Sequence, residues 1–332
     1  VSKRSIQPSG GNLTMADLAR IAGVSKITVS RALSDSPLVN EKTRERVREI
    51  ARQHGYKLNV SARNLRLRRS QTVAVIVEMK PSADRAMWHP YPLILLGGIS
   101  QELTSAGYSV VLTTRGSKAP AAQAADGMIL LGQGAREDAV HQFDRWHMPM
   151  VVWGAPGENE AHITVGSDNR RGGAAAAERF LAMRRHRPLF LGNPDYPELR
   201  ERLAGFSDAL GRHGIEPQVL VLGAFSPDAG YEAVRKLLSK RVRFDAIFAG
   251  SDLLAMGAVR ALIEAGRRVP EDVSVIGYDD VPMAAQFIPP LSTVSQNWQE
   301  GGELLARKVL ALIEGQPAQS EMLPSTLVVR AT

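Results

Sequence analysis

Apolar and polar positions fall into two successive patterns along the chain. Near the start, Leu18, Ile21 and Ala22 recur at helical spacing between Thr14 and Gly23, which predicts an amphipathic helix of about two turns. Thr14-Met15-Ala16-Asp17 has the residue types of a capping box, in which a hydroxyl and an acid three residues on satisfy each other's free amides. Gly23 stops the helix, because glycine enters the left-handed backbone that closes a helix C-terminus at little steric cost. Ser25 caps a second helix through Leu33, with Val29, Ala32 and Leu33 facing inward and Ile27 and Ser30 exposed. Small Ala19 sits where these helices cross, and Leu18, Val24 and Val29 form the core between them, the pattern of a helix-turn-helix. A third helix from Glu41 to His54 adds Val47, Ile50 and Ala51 and ends at Gly55.

From residue 71 the period changes. Short apolar runs (TVAVIVEM, YSVVLTT, DGMILL) alternate with amphipathic stretches, and a second series follows with RPLFLGNP, QVLVLGAF, DAIFAGSD and VSVIGYDD. Strands alternating with helices predict parallel α/β sheets, here two units rather than one. Ligands of open parallel sheets bind beyond the carboxyl ends of the strands, so Asp168, Asp252 and Asp279, each just after a strand-like run, are expected to face one cleft.

Composition supports a folded chain: with 332 residues, 44% hydrophobic and 23% charged, a largely disordered or collagen-like protein is excluded. Charge then separates the two patterns. Residues 1–70 hold 15 Lys+Arg against 5 Asp+Glu, and residues 71–332 hold 26 against 29. A compact basic module releases counterions on meeting a phosphate backbone, which points to nucleic acid, although charge alone fits a solvated basic surface equally well. The absence of cysteine removes disulfides and thiolate chemistry and fits a reducing compartment. VSKRSIQPSGG has no apolar stretch to serve as a signal peptide, and no segment approaches the ~18 apolar residues of a membrane span, so a soluble, cytoplasmic protein is expected.

The run LTMADLARIAGVSKITVSRAL, followed by VNEKTRERVREIARQHGY, resembles the DNA-binding head of the LacI/GalR family of bacterial transcription factors. The resemblance continues in order through NVSARNL at 59–65, DGMILL, PDYPELRERLAGF, DAIFAGSDLLAMGAVRAL, RVPEDVSVIGYDD and PPLSTV, covering nearly the whole chain. It implies an all-α helix-turn-helix head plus an α/β periplasmic-binding-protein-like core of two doubly wound parallel-sheet subdomains. The implied organisation is a tail at 1–13, the head at 14–57, a hinge helix and linker at 58–70, and a core at 71–332. Within that core an N-subdomain takes about 71–170 and 297–323, and a C-subdomain about 171–296 and 324–332. Only eleven residues, 115–125, separate YSVVLTT from DGMILL, where the family usually has room for a full helix.

Residue by residue, the resemblance implies that Lys26, Ile27 and Arg31 read base edges. Thr14, Ser25, Thr28, Ser30 and Thr43 would hold phosphates, while Asn59, Ala62 and Leu65 act from the hinge, Leu65 as a minor-groove wedge. Asp168, Arg202 and Asp279 match the family's polar effector contacts, and Phe225 and Trp298 its ring-lined positions. Tyr91 stands where members place an aromatic or small ligand-facing residue, and Ser251, beside Asp252, replaces a common amide. Carboxylates and a guanidinium suit adjacent hydroxyls or ring nitrogens through charge-assisted bonds. The bland alternatives are an ion pair between Arg202 and Asp279 across the subdomains and core or surface roles for Phe225 and Tyr91.

The chain contains no GxxxxGK[ST], GxSxG or HExxH, and GQGARE at 132–137 lacks the last glycine of a dinucleotide fingerprint. The seven histidines are scattered, so neither a metal nor a cofactor is expected. The expectation is a homodimeric regulator, not an enzyme, that binds palindromic double-stranded operator DNA and a small-molecule effector. It would act as a repressor of carbohydrate-use genes answering to a sugar or sugar derivative, without membrane contact. The alternatives are a regulator with a purine or other non-sugar co-repressor and, more distantly, a solute-binding protein or sugar-processing enzyme.

Overall fold

A computed structural model describes residues 13–34, 36–56, 69–78, 90–117, 119–156 and 162–332. The chain divides into two compact units, residues 1–69 and 70–332. The expected hinge residues Asn59, Ala62 and Leu65 lie outside the described residues.

In the first unit, helix α1 (Met15–Ala22) starts from the expected capping box, with Asp17 N donating to Thr14 Oγ1 (3.3 Å) and Thr14 N to Asp17 Oδ2 (3.2 Å). Gly23 takes the left-handed conformation, φ 63°, and the chain turns directly into α2 (Lys26–Leu33), capped by Ser25 Oγ. Helix α3 (Glu41–Gln53) opens on Asn40, whose Oδ1 accepts from Thr43 N at 2.9 Å. Leu18, Val29, Ala32 and Val47 are fully buried between the three. Leu33, half-buried, packs against this core as expected. One detail departs from the expectation: Ser30 is half-buried rather than exposed, because the inward stripe of α2 packs on α1 and α3 together and is therefore broader than one line of residues. Ser30 lies at its edge, its carbonyl accepting from Ser34 Oγ at 2.8 Å.

The second unit contains two six-stranded sheets. The first is built from β1 (Thr72–Val77), β2 (Ser109–Thr114), β3 (Gly127–Leu131), β4 (Met150–Trp153), β5 (Ile163–Ser167) and β11 (Glu321–Leu323), in the order β11-β5-β4-β3-β1-β2, all parallel. The second comprises β6 (Pro188–Leu191), β7 (Gln218–Leu220), β8 (Ala246–Ala249), β9 (Ser274–Asp279), β10 (Ser292–Ser295) and β12 (Thr326–Val328), in the order β12-β10-β9-β8-β6-β7. Only β12 is antiparallel to its neighbour. In each sheet the first strand lies between the second and the third, the doubly wound order whose switch point opens a crevice at the carboxyl strand ends.

Helices α4 (Pro90–Ser105) and α12 (Trp298–Ile313) pack together against the first sheet. The second sheet carries α7 (Asn169–Ala182), α8 (Pro197–Gly211), α9 (Pro227–Ser239) and α10 (Asp252–Glu264). Three strand-to-strand passages link the sheets: from β5 to β6, from β10 through α12 to β11, and from β11 directly to β12. The short 115–125 segment holds α5 (Pro120–Gln123), one turn that buries Ala122 against the first sheet. Strand β7 stops at Leu220, shorter than the apolar run QVLVLGAF suggests, because it is an edge strand paired on one side only.

Candidate functional site

The carboxyl ends of both sheets border one cleft. From the first sheet come Trp153, the last residue of β4, and Tyr91, in the first turn of α4. The second sheet supplies Arg202 and Glu198 from α8, Phe225 after β7, Gly250 and Ser251 after β8, Asp279 ending β9, and Gln296 just past β10.

Arg202 is 6% exposed and held from three sides. Its Nε donates to Asn169 Oδ1 (2.8 Å), its Nη1 donates to Gly250 O (2.6 Å), and its guanidinium lies over the Tyr278 ring. Local packing puts it there. Helices α7 and α8 touch backbone to backbone through Gly173 and Gly205, where a Cβ would collide with the carbonyls of Arg202 and Arg170. Asp279 occupies the left-handed half of backbone space, φ 123°, a strained state for a non-glycine residue. Its Oδ1 accepts from Gln296 Nε2 at 2.7 Å, and Gln296 Oε1 in turn accepts from Ser167 Oγ at 2.8 Å. Phe225 packs edge-on against Tyr196, ring centroids 5.4 Å apart. The cleft thus offers a fixed cation, a carboxylate, an amide and apolar ring walls, a set suited to a polar, partly apolar small molecule.

Five expected effector residues line this cleft: Tyr91, Arg202, Phe225, Ser251 and Asp279. Three do not. Asp168 caps α7, its Oδ1 accepting from Arg171 N at 2.9 Å. Asp252 is wholly buried, accepting from Thr293 Oγ1 (2.5 Å) and Val281 N (2.9 Å). Burial, reinforced by the Asp279 charge, pushes its carboxyl well above the ordinary aspartate range. Trp298 sits behind Tyr91, ring centroids 5.9 Å apart, with a buried indole N–H that has no partner among the described residues. Glu198, Gln296 and Trp153 were not anticipated. Glu198 shares a helix turn with Arg202 and was legible from that spacing, whereas the other two carry no local signal.

Among the expected DNA-contacting residues, Lys26, Ile27 and Arg31 are exposed on α2. Thr14 and Ser25 hydroxyls are exposed and also serve as caps, while Thr28, Ser30 and Thr43 are half-buried. Among the described residues no helix is long and apolar enough to cross a membrane, and no cluster suited to a metal ion occurs.

Residues 14–59 match the family model described as bacterial regulatory proteins, lacI family, and residues 177–332 match a periplasmic binding protein-like domain. The transcriptional regulator CelR of Thermobifida fusca is 34% identical over 319 residues, covering 92% of this chain and 93% of its own. The ribose operon repressor of Escherichia coli is 30% identical, with 95% and 98% covered. Among solved structures, the lac repressor dimer bound to operator and the anti-inducer ONPF superimposes with TM-score 0.85 at 26% identity, covering 97% of this chain and 99% of that one. A CelR–cellobiose complex gives 0.69 at 32% identity, covering 96% and 99%.

Proposed function

Because this chain belongs to the LacI family of bacterial regulatory proteins, we propose that it represses carbohydrate-use genes and answers to a sugar held between its two sheets. It is a ligand-responsive DNA-binding regulator rather than an enzyme. The observation that carries the sugar reading is the meeting of Arg202, Asp279 and Gln296 with Trp153, Tyr91 and Phe225 in one cleft. Carboxylate, guanidinium and amide engage adjacent hydroxyls, while ring faces cover the apolar C–H side of a pyranose. CelR, which resembles this chain along nearly its whole length, has been solved with cellobiose.

DNA recognition is assigned to the exposed face of α2, with Arg31 reading a guanine edge and Ile27 touching base methyls. Palindromic operator DNA is then met by a homodimer in the cytoplasm. The effector acts on operator affinity by contacting the two sheets differently in two arrangements, since only differential contacts shift such an equilibrium. A purine is the second reading, favoured by PurR repressors at 30% and 32% identity.

One experiment separates them. Thermal shift of the full chain is recorded with cellobiose, ribose and hypoxanthine, because a ligand that binds only the folded state raises the melting temperature. A shift with a sugar and none with hypoxanthine supports the sugar reading. The reverse assigns a purine effector.

A further inference from the structure

The second sheet has an opposite end, away from the cleft, where the amino ends of β6, β8 and β9 meet the last turns of α9 and α10. Strands of four to six residues separate the two ends by roughly 13–20 Å at ~3.3 Å per residue. A groove here is lined by Arg187, Arg241, Arg243 and Arg267, with Asp245 and Asp272 as its acids. Arg184 and Lys240 flank these positions in sequence. The surrounding core is slightly acidic, with 26 Lys+Arg against 29 Asp+Glu in residues 71–332, so this concentration of cations is local.

The acids of the groove are already engaged. Asp245 accepts the backbone amides of His186 (2.9 Å) and Arg187 (2.8 Å). Asp272 pairs with Arg268 (2.8 Å), and that hydrogen bond holds its carboxyl at about 2. Arg185 is turned away, donating to Ser274 Oγ and to backbone carbonyls of the 270–271 turn. By contrast, the guanidinium groups of Arg187, Arg241, Arg243 and Arg267 make no direct hydrogen bond or ion pair among the described residues, although the Arg267 charge also helps to lower the Asp272 carboxyl.

Their backbones are nonetheless fixed. Arg187 N is held by Asp245, Arg241 N donates to Leu238 O (3.0 Å), Arg267 N donates to Leu262 O (2.9 Å), and Arg243 O accepts from Gln218 Nε2 (3.3 Å). Four guanidinium groups therefore stand on a rigid rim. The two helix C-termini oppose them with roughly half an elementary charge each, and Asp245 contributes one more negative charge. A surplus of about two positive charges remains, the complement of a phosphate dianion.

We propose that this groove is a second binding site, separate from the effector cleft, for a phosphate-bearing small anion. The forked N–H groups of several arginines suit the tetrahedral oxygens of a phosphate monoester or pyrophosphate, and the groove is open enough to admit either with an attached sugar.

The test titrates the full chain calorimetrically with inorganic phosphate, sulfate, pyrophosphate and a hexose 6-phosphate, at ionic strength held constant with potassium chloride. Two double variants are compared with wild type: Arg241→Gln/Arg267→Gln in the groove and Lys26→Gln/Arg31→Gln in the basic head. Circular dichroism checks that each is folded, and Arg187→Gln/Arg243→Gln provides an independent groove pair. The expected result is binding at least about tenfold weaker in either groove pair and unchanged in the head pair. Tighter binding of the hexose phosphate than of the inorganic anions assigns an organic ester, and equal binding assigns the free anion. Binding lost in the head pair but kept in both groove pairs overturns the proposal, as does phosphate binding no stronger than that of sulfate at the same ionic strength.

Discussion

The guanidinium carbon of Arg202 lies 3.6 Å from the centroid of the Tyr278 ring, which is fully buried beneath it. This stack joins α8 to β9, the strand that ends one residue later in Asp279. A cation on an aromatic face in a desolvated site is worth about 2 kcal/mol, and here it orients the guanidinium at the cleft wall. Arg202 thus has structural and ligand-facing roles that different substitutions separate.

Arg202→Ala leaves Asn169 Oδ1 and Gly250 O without their donor in a buried place, and is expected to destabilise the core by about 2–4 kcal/mol. Arg202→Lys keeps the charge but neither the flat stack nor the paired donors, so it is expected to fold and lose the effector response. Urea denaturation reads the first and operator anisotropy with and without effector the second. An Arg202→Lys protein that responds at the wild-type ligand concentration removes Arg202 from the binding set.

Gln296 links the two sheets by accepting from Ser167 on β5 and donating to Asp279 on β9. Gln296→Leu keeps the volume and removes both bonds, with an expected cost of about 1–3 kcal/mol and weaker effector binding. Equal affinity in the variant, measured by calorimetry, would show that the amide only joins the sheets.

Asp252 carries the pH prediction. Its folded pKa is raised by burial and then by the Asp279 charge, so the folded state holds a proton that the unfolded chain releases. That contribution to stability is present below the unfolded pKa and is lost as pH rises through the folded one. Asp252→Asn resembles the protonated form and is expected to flatten the stability profile from the ordinary aspartate range upward. Asp252→Ala, which orphans the Val281 amide and Thr293 hydroxyl, is expected to destabilise by about 1–3 kcal/mol at every pH. Parallel slopes for Asp252→Asn and wild type in urea titrations from pH 4 to 8 would contradict the raised pKa.

Gly173→Ala places a methyl group against the Arg202 carbonyl where α7 and α8 touch. The helices must part, which costs about 1–3 kcal/mol and moves Arg202 relative to Asp279. Lower melting temperature and weaker effector binding are expected together.

On α2, Arg31→Ala is expected to cost operator binding ~1–3 kcal/mol while leaving weak binding to random DNA nearly intact. Anisotropy on both DNAs decides this, since equal loss on each would mean that Arg31 meets phosphates rather than bases.

Caps, turns and periods are local, so the sequence alone determined the three-helix head down to the Thr14–Asp17 box and the left-handed Gly23. It likewise determined the alternation of strands and helices, and the motifs around Arg202 and Asp279 led to two cleft residues. Tertiary structure decided what shares the cleft. Trp153 and Gln296 stand 143 residues apart in the chain and meet only because the chain passes repeatedly between two sheets. Position at a strand end also left the direction of a side chain open. Asp279 is turned by its left-handed backbone onto the cleft, Asp168 folds back to cap α7, and Asp252 is drawn inward by a buried amide and hydroxyl. The same residue type after the same kind of strand meets three fates, because backbone dihedrals and nearby donors, not strand periodicity, set where a short carboxylate points.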